Sequence, residues 1–320
     1  MNRNQYANML RDISITRKNG GDVSTLIAEY RKKYRYVYVY NDSIFKRIFG
    51  SPQSKDIAAS FLNAVLKLDG GDCIGALDFM DPSIPGGPFV KSITSDIVAK
   101  DQYSNRIVIE VQHKGDDEFK DRLVFYTARH TMQNKGPGVD YNLKKLYFIA
   151  LQMFDTWPDS KNYRHCVQLK NQENEVFFDK QMLTLVEIRK FLRDGYKLDE
   201  SPLALWLRAI DMINEERDEQ RAVETGNPYY TALQKFALLC NFDEEYLLME
   251  AKAMTDREYE LSVERKEARA EGRAAGLAEG RAEGALSAKL ELAKNMLAEN
   301  IPISQITRIT GLSEKEFLNS

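Results

Sequence analysis

Residues 90–112 read Val-Lys-Ser-Ile-Thr-Ser-Asp-Ile-Val-Ala-Lys (90–100), Asp-Gln-Tyr-Ser-Asn (101–105) and Arg-Ile-Val-Ile-Glu-Val-Gln (106–112). β-Branched and apolar flanks around a polar centre predict an antiparallel hairpin, because such side chains suit a pleated surface and the centre supplies turn chemistry. Pairing Asp101 with Asn105 around a three-residue loop makes paired residue numbers sum to 206, which sets Asp96 opposite Glu110. Opposed residues project to one side of a sheet with Cβ atoms about 4.5–5.5 Å apart, and like charges there destabilise the pair. Two such carboxylates persist only if solvated, protonated or neutralised by a cation, and Mg²⁺ takes one or two carboxylates plus water and substrate oxygens. On the second strand Val108, Glu110, Gln112 and Lys114 share one parity and Ile107, Ile109 and Val111 the other, so one face is expected to be core and the other to carry chemistry.

Upstream of the hairpin, Tyr34–Tyr40 is β-prone and predicts a short strand or extended edge. Asp42 is placed to N-cap a helix through Ile44, Phe45, Ile48 and Phe49 that stops at Gly50; its carboxylate could instead serve the acidic pair. Lys46 is either a phosphate-binding lysine or an exposed helix lysine. Lys55–Leu68 resumes helical periodicity, Cys73–Met80 reads as a strand, and the Pro-Gly-Gly-Pro segment in 82–88 is a loop that leads into the hairpin. Downstream, Glu118 to about Asn134 is helical, with Arg122 and Tyr126 one turn apart. They either orient the hairpin carboxylates or a phosphate, or form the edge and half-buried face of an ordinary helix. The apolar run Leu146–Phe154 predicts a central strand covered on both sides; 165–169 and 176–178 are further strand candidates, and Thr184–Phe191 a short amphipathic segment.

An aspartate, a short interval and then Glu-x-Gln on the next strand resembles the PD-(D/E)XK nucleases. The glutamine in third place, Asp42-Ser-Ile-Phe-Lys46-Arg-Ile-Phe-Gly50 upstream and Arg122-x-x-x-Tyr126 downstream are similar to the recombination-promoting nuclease and transposase branch, over about Tyr40 to Leu192. The resemblance implies an α/β, restriction-endonuclease-like mixed sheet flanked by helices, with a C-terminal helical extension. It implies a metal-dependent DNA endonuclease in which Asp96, Glu110 and the Val111 carbonyl hold Mg²⁺, or Mn²⁺ in its place. Asp42, Lys46 and Gln112 join Asp96 and Glu110 as catalytic candidates, and Lys114, Arg122 and Tyr126 as substrate-binding ones. In the family at large a lysine stands where Gln112 does. Glutamine hydrogen-bonds water or phosphate but carries no charge and is no base at neutral pH; Lys114, Lys46 or Lys100 is then the candidate cation. The rival expectations are a DNA- or protein-binding module with a decayed site, and an RNA-directed nuclease. With Asp96 merely flanking a turn and Glu110 on a solvent face, neither chemistry would follow.

The 320-residue chain has ordinary globular composition, with 43% hydrophobic residues. Lys and Arg number 45 against 48 Asp and Glu, for a net charge of −3, so contact with a phosphate backbone requires a local basic face or a metal. Three scattered cysteines, Cys73, Cys166 and Cys240, argue against a disulfide framework and a zinc site. With no apolar signal-like start and no run of membrane-spanning length, the sequence leads to expectations of a cytoplasmic location, no membrane partner and no organic cofactor, with DNA and a second copy of the chain as partners.

Residues 1–40 are expected as an N-terminal helical preface, 41–195 as the nuclease-like domain and 196–265 as a helical domain. The Glu/Gly/Arg/Ala-rich stretch 266–287, with glycines at 272, 276, 280 and 284, is expected as a solvated, semi-helical connector or a dimer seam, since each glycine costs a helix about 1 kcal/mol relative to alanine. Residues 288–320, with Pro302, Gly311 and a Ser313–Glu316 capping box, read as a helix-turn-helix-like tail suited to DNA or to protein contact.

Overall fold

The computed structural model describes residues 1–134, 142–195, 199–216 and 228–318. The hairpin forms as its turn residues dictate. The Asp101 carboxylate accepts hydrogen bonds from Tyr103 N (2.9 Å) and Asn105 N (2.8 Å), and the Asp101 N–H donates to Asn105 O (3.1 Å). Ser104 takes the left-handed conformation that closes the loop.

In chain order the elements are α1 (Arg3–Lys18), α2 (Val23–Lys33), α3 (Asp42–Phe49), α4 (Lys55–Leu66), β1 (Leu77–Met80), β2 (Ser83–Ile84), β3 (Ile93–Thr94), β4 (Ile97–Asp101) and β5 (Arg106–Gln112). There follow α5 (Phe119–Gln133), β6 (Leu146–Gln152), β7 (Arg164–Lys170), β8 (Val176–Glu187), α6 (Ile188–Lys190) and α7 (Pro202–Asn214), then helices Pro228–Ala237, Glu244–Ala298, Ile303–Thr310 and Glu314–Leu318. Strands β1-β4-β5-β6-β8-β7 make one sheet, parallel at β5–β6 and β6–β8 and antiparallel elsewhere; β2 and β3 pair separately. A mixed sheet with helices on its faces and further helices beyond it is the α/β, restriction-endonuclease-like architecture.

The predicted register holds. Ile97 faces Ile109 and Val98 faces Val108, both pairs summing to 206. The expectation of one core face and one chemical face on β5 does not: Arg106 to Val111 are all buried, because β5 is interior and α5 lies over its even-numbered side. Val98, Val108 and Phe148 pack there with Phe119 and Leu123 of α5. On the other side Phe45, Phe49, Phe61 and Trp206 from α3, α4 and α7 form a ring cluster, with Phe45 and Phe49 centroids 4.5 Å apart. Of β5 only Gln112, at its carboxyl end, is partly exposed.

Leu146–Gln152 is the fully buried central strand its apolar run predicts. Tyr34–Tyr40 forms no strand of its own: of the expected strand or extended edge it keeps a single bridge, Tyr36 to Leu238, then turns at Val39–Tyr40; Tyr36, Val37, Val39 and Tyr40 are buried, and the Val39 N–H is taken by the Asn214 side chain (2.7 Å). Thr184–Phe191 also departs, continuing β8 to Glu187 before turning helical. There Glu187 and Lys190 are both fully buried and paired, and Glu187 accepts from Thr156 N and Trp157 N, which pins the loop after β6. Arg164 of β7 donates to the Val65 and Leu66 carbonyls, satisfying the end of α4. Of the two outer strands, β1 has four residues, and β7 is interrupted by register shifts around Leu169.

The chain divides into Met1–Ala251 and Lys252–Ser320. Helix Glu244–Ala298 runs unbroken through the four-residue glycine cycle, and a Cβ at Gly272, Gly276, Gly280 or Gly284 would meet open space. In the second unit Ala293, Ile306, Leu312 and Phe317 form a small core, with Gly311 in the left-handed turn and Ser313 bonded to Glu316. Among the described residues no helix is long and apolar enough to cross a membrane.

Two outcomes follow from this packing. A Cβ at Gly50 would lie 2.7 Å from the Lys46 carbonyl oxygen and 3.3 Å from Ile97 Cγ1, so Gly50→Ala should lower the unfolding free energy by about 1–3 kcal/mol, measured in urea. His130 of α5 is fully buried, and burial, then Arg106 and Arg129, push its imidazole down to about 3. An unfolded histidine titrates near 6.5, so the stability carried by the neutral ring is complete above that pH and drains as pH falls towards about 3. The wild-type urea midpoint should fall more steeply on acidification through that window than that of His130→Gln.

Candidate active site

Asp96 sits one residue before β4 and Glu110 near the carboxyl end of β5. In place of a further backbone ladder bond, Asp96 Oδ2 accepts the Val111 N–H at 2.6 Å, which turns its carboxylate towards the end of β5. Helix α3 supplies the facing groups. Asn41, not Asp42, is its N-cap, accepting from Ile44 N at 3.2 Å, so the capping role read for Asp42 is overturned. Asp42 stands at the first helical position, and its Oδ1 lies 2.9 Å from His113 Nε2. One turn on, Lys46 Nζ lies 3.0 Å from Asp96 Oδ1.

Three acids share this space. Glu110 is pushed up to about 8, first by burial, then by Asp96; a Ser95 hydrogen bond and Lys46 oppose this, and Asp42 adds to it. Asp96 is raised from the ordinary carboxylate range by burial, against the Val111 N–H and Lys46, with Asp42 again raising it. Tyr126 is raised by burial and then by Glu110. Oxygen Oε1 of Glu110 is buried with no hydrogen-bond partner. A buried carboxylate oxygen left bare beside a second carboxylate is costly unless a proton or a cation reaches it.

The other predicted residues divide. Gln112 follows at the strand end, where Arg122 Nη2 donates to its Oε1 at 3.4 Å; Arg122 also bonds Asp116 (3.2 Å). Tyr126 packs on the α5 core beside Glu110. Val111 is fixed through its N–H by Asp96. Lys114 is exposed in the loop after β5. Lys100 stands opposite Arg106 at the far end of the hairpin, so among the lysines it is Lys46 that meets the acids. His113 and Ser95 were not singled out from sequence. The available signal was rarity: the chain has three histidines, and His113 and His130 flank the hairpin carboxylates.

Among the described residues no three His, Cys, Asp or Glu side chains converge to hold a metal by themselves. A hard divalent ion asks for less, since Mg²⁺ keeps several waters and is bound through one or two carboxylates. Coupled Asp96 and Glu110, an unpartnered Glu110 oxygen and the adjacent Val111 backbone are a donor set that fits such an ion.

The model of a known family, described as PD-(D/E)XK nuclease family transposase, matches residues 39–264. No match was found among the curated proteins or the solved structures. That match spans the sheet, α3 and α5, and with them every residue gathered around Glu110; the chain belongs to the PD-(D/E)XK nuclease family transposases.

Proposed function

We propose that this chain is a metal-dependent endonuclease that hydrolyses phosphodiester bonds in DNA, of the recombination-promoting nuclease and transposase type. The observation that carries it is the buried, unpartnered oxygen of Glu110 beside Asp96 in a nuclease-type chain. Asp96, Glu110 and the Val111 carbonyl would hold Mg²⁺, with Mn²⁺ as a substitute. When bound, the ion supplies Lewis acidity and lowers the pKa of its water.

The remaining work falls to the chain. Lys46 brings a positive charge to the acidic pair from α3, where it can face a phosphate oxygen. Gln112, steadied by Arg122, offers its amide N–H as a donor to water or phosphate and no basic group. Arg122 and exposed Lys114 border the strand end and suit backbone contact with DNA. The Asp42–His113 pair fixes the start of α3 against the end of β5 and so keeps Lys46 in place. A double-strand cut calls for two copies of the chain, one for each strand.

Supercoiled plasmid incubated with Mg²⁺ or Mn²⁺ tests this. The wild type should nick it, and Asp96→Ala and Glu110→Ala should each lose at least about a hundredfold in rate; equal nicking by all three would assign the activity elsewhere, and DNA retention without cleavage by any would make the chain a binding module. Lys46→Ala should separate two effects. Removing an ammonium that competes for Asp96 should tighten Mn²⁺ binding in calorimetry, while hydrolysis falls roughly tenfold or more because a charge aimed at the phosphate is lost.

A further inference from the structure

Arg106 and Glu110 stand on the same side of β5, four residues apart, both under α5. Arg106 is 4% exposed, and among the described residues no carboxylate pairs with it. Its Nε–H donates instead to His130 Nδ1 at 3.1 Å. A guanidinium can only donate, so Nδ1 must carry the lone pair and the ring hydrogen must sit on Nε2. That Nε2 lies 2.9 Å from Ser95 Oγ, so the imidazole donates and the serine oxygen accepts. Ser95, itself fully buried, then has its own hydroxyl hydrogen to give, and Glu110 is the carboxyl group beside it.

Both bonds thus run in one direction, from a buried cation through two neutral groups, and they leave a hydroxyl hydrogen next to an acid. Neutral hydrogen bonds in such a chain polarise one another, so part of the influence of the Arg106 charge reaches Glu110 without a cation standing where a ligand would. Lys46 makes the opposite kind of contact, sitting directly on Asp96. The segment that carries Ser95 is fixed at its backbone, where Ser95 N donates to Pro82 O at 3.0 Å, and Arg129 of α5 ties down the Pro85 and Lys91 carbonyls.

We propose that Arg106, His130 and Ser95 are positioning residues: a buried donor chain that fixes one oxygen of Glu110 and leaves the other turned to the divalent cation. This rests on Asp96 and Glu110 being the metal-holding pair. Ser95 contributes no ligand, so its effect must pass through Glu110. Groups that hydrogen-bond a metal-holding side chain alter metal affinity by roughly 10- to 100-fold when removed.

The test is calorimetric titration of Mn²⁺ into the full-length, metal-free chain, with thermal melts run beside it. Ser95→Ala should weaken Mn²⁺ binding by roughly 10- to 100-fold while still melting cooperatively. Ser95→Thr, which keeps the hydroxyl, should restore it, and His130→Phe should match Ser95→Ala if it folds. Wild-type Mn²⁺ affinity in Ser95→Ala, with binding lost in Asp96→Ala, would overturn the donor chain alone. If the wild type binds no Mn²⁺, and Asp96→Ala behaves the same, the metal-holding pair falls and the positioning role falls with it. Should the His130 variant not fold, the Ser95 pair decides the matter.

Discussion

The hydrogen bond from the Val111 amide to the Asp96 carboxylate is the contact from which the rest of the structure is arranged. It extends the hairpin register by one step beyond the last backbone pair and substitutes a side chain for the partner strand. In doing so it brings a second negative charge up to Glu110 inside the protein, where neither acid has water enough to be comfortable. Everything nearby answers that repulsion. An ammonium comes in from α3, a hydroxyl from the segment before β4, and a proton is retained on Glu110 well above the usual carboxylate range.

Holding such a pair requires rigid walls on both sides of the sheet. On one side α5 covers Val98 and Val108 and presents Tyr126 and Arg122 to the strand end. On the other, α3 meets β4 where a Cβ at Gly50 would lie 2.7 Å from the Lys46 carbonyl oxygen and crowd Ile97 at 3.3 Å, and the ring cluster of Phe45, Phe49, Phe61 and Trp206 fixes the helix from behind. Two packed layers thus set the positions of the polar side chains at one end of β5. The burial of that strand on both sides is what makes the acids interact strongly.

Much of this was legible in the sequence, because the turn residues of Asp101–Asn105 specify a register and a register specifies which side chains meet. The continuous apolar run of β6 was equally plain, since a strand covered on both sides has no polar alternation to disguise it. What escaped was non-local. Asn41 and Asp42 are both good capping residues and adjacent, and only the tertiary partner His113 distinguishes their roles. Alternation on β5 suggested an open face because Glu110, Gln112 and Lys114 share one parity; Glu110 is buried all the same, because α5 lies over that side of the strand. Ser95 and His130 lie 35 residues apart, and no local pattern marks a serine as the neighbour of a histidine on another element.

The two outermost strands have a consequence for the chain in company. A sheet of six strands exposes two rows of unsatisfied amides, each an invitation for a neighbouring molecule to add a strand. Here one row is cut to the length of β1 and the other is kinked by the irregular pairing of β7, so neither offers a straight template. Edge-to-edge pairing of copies is thereby discouraged at both borders, and the fold keeps its sheet finite without closing it into a barrel.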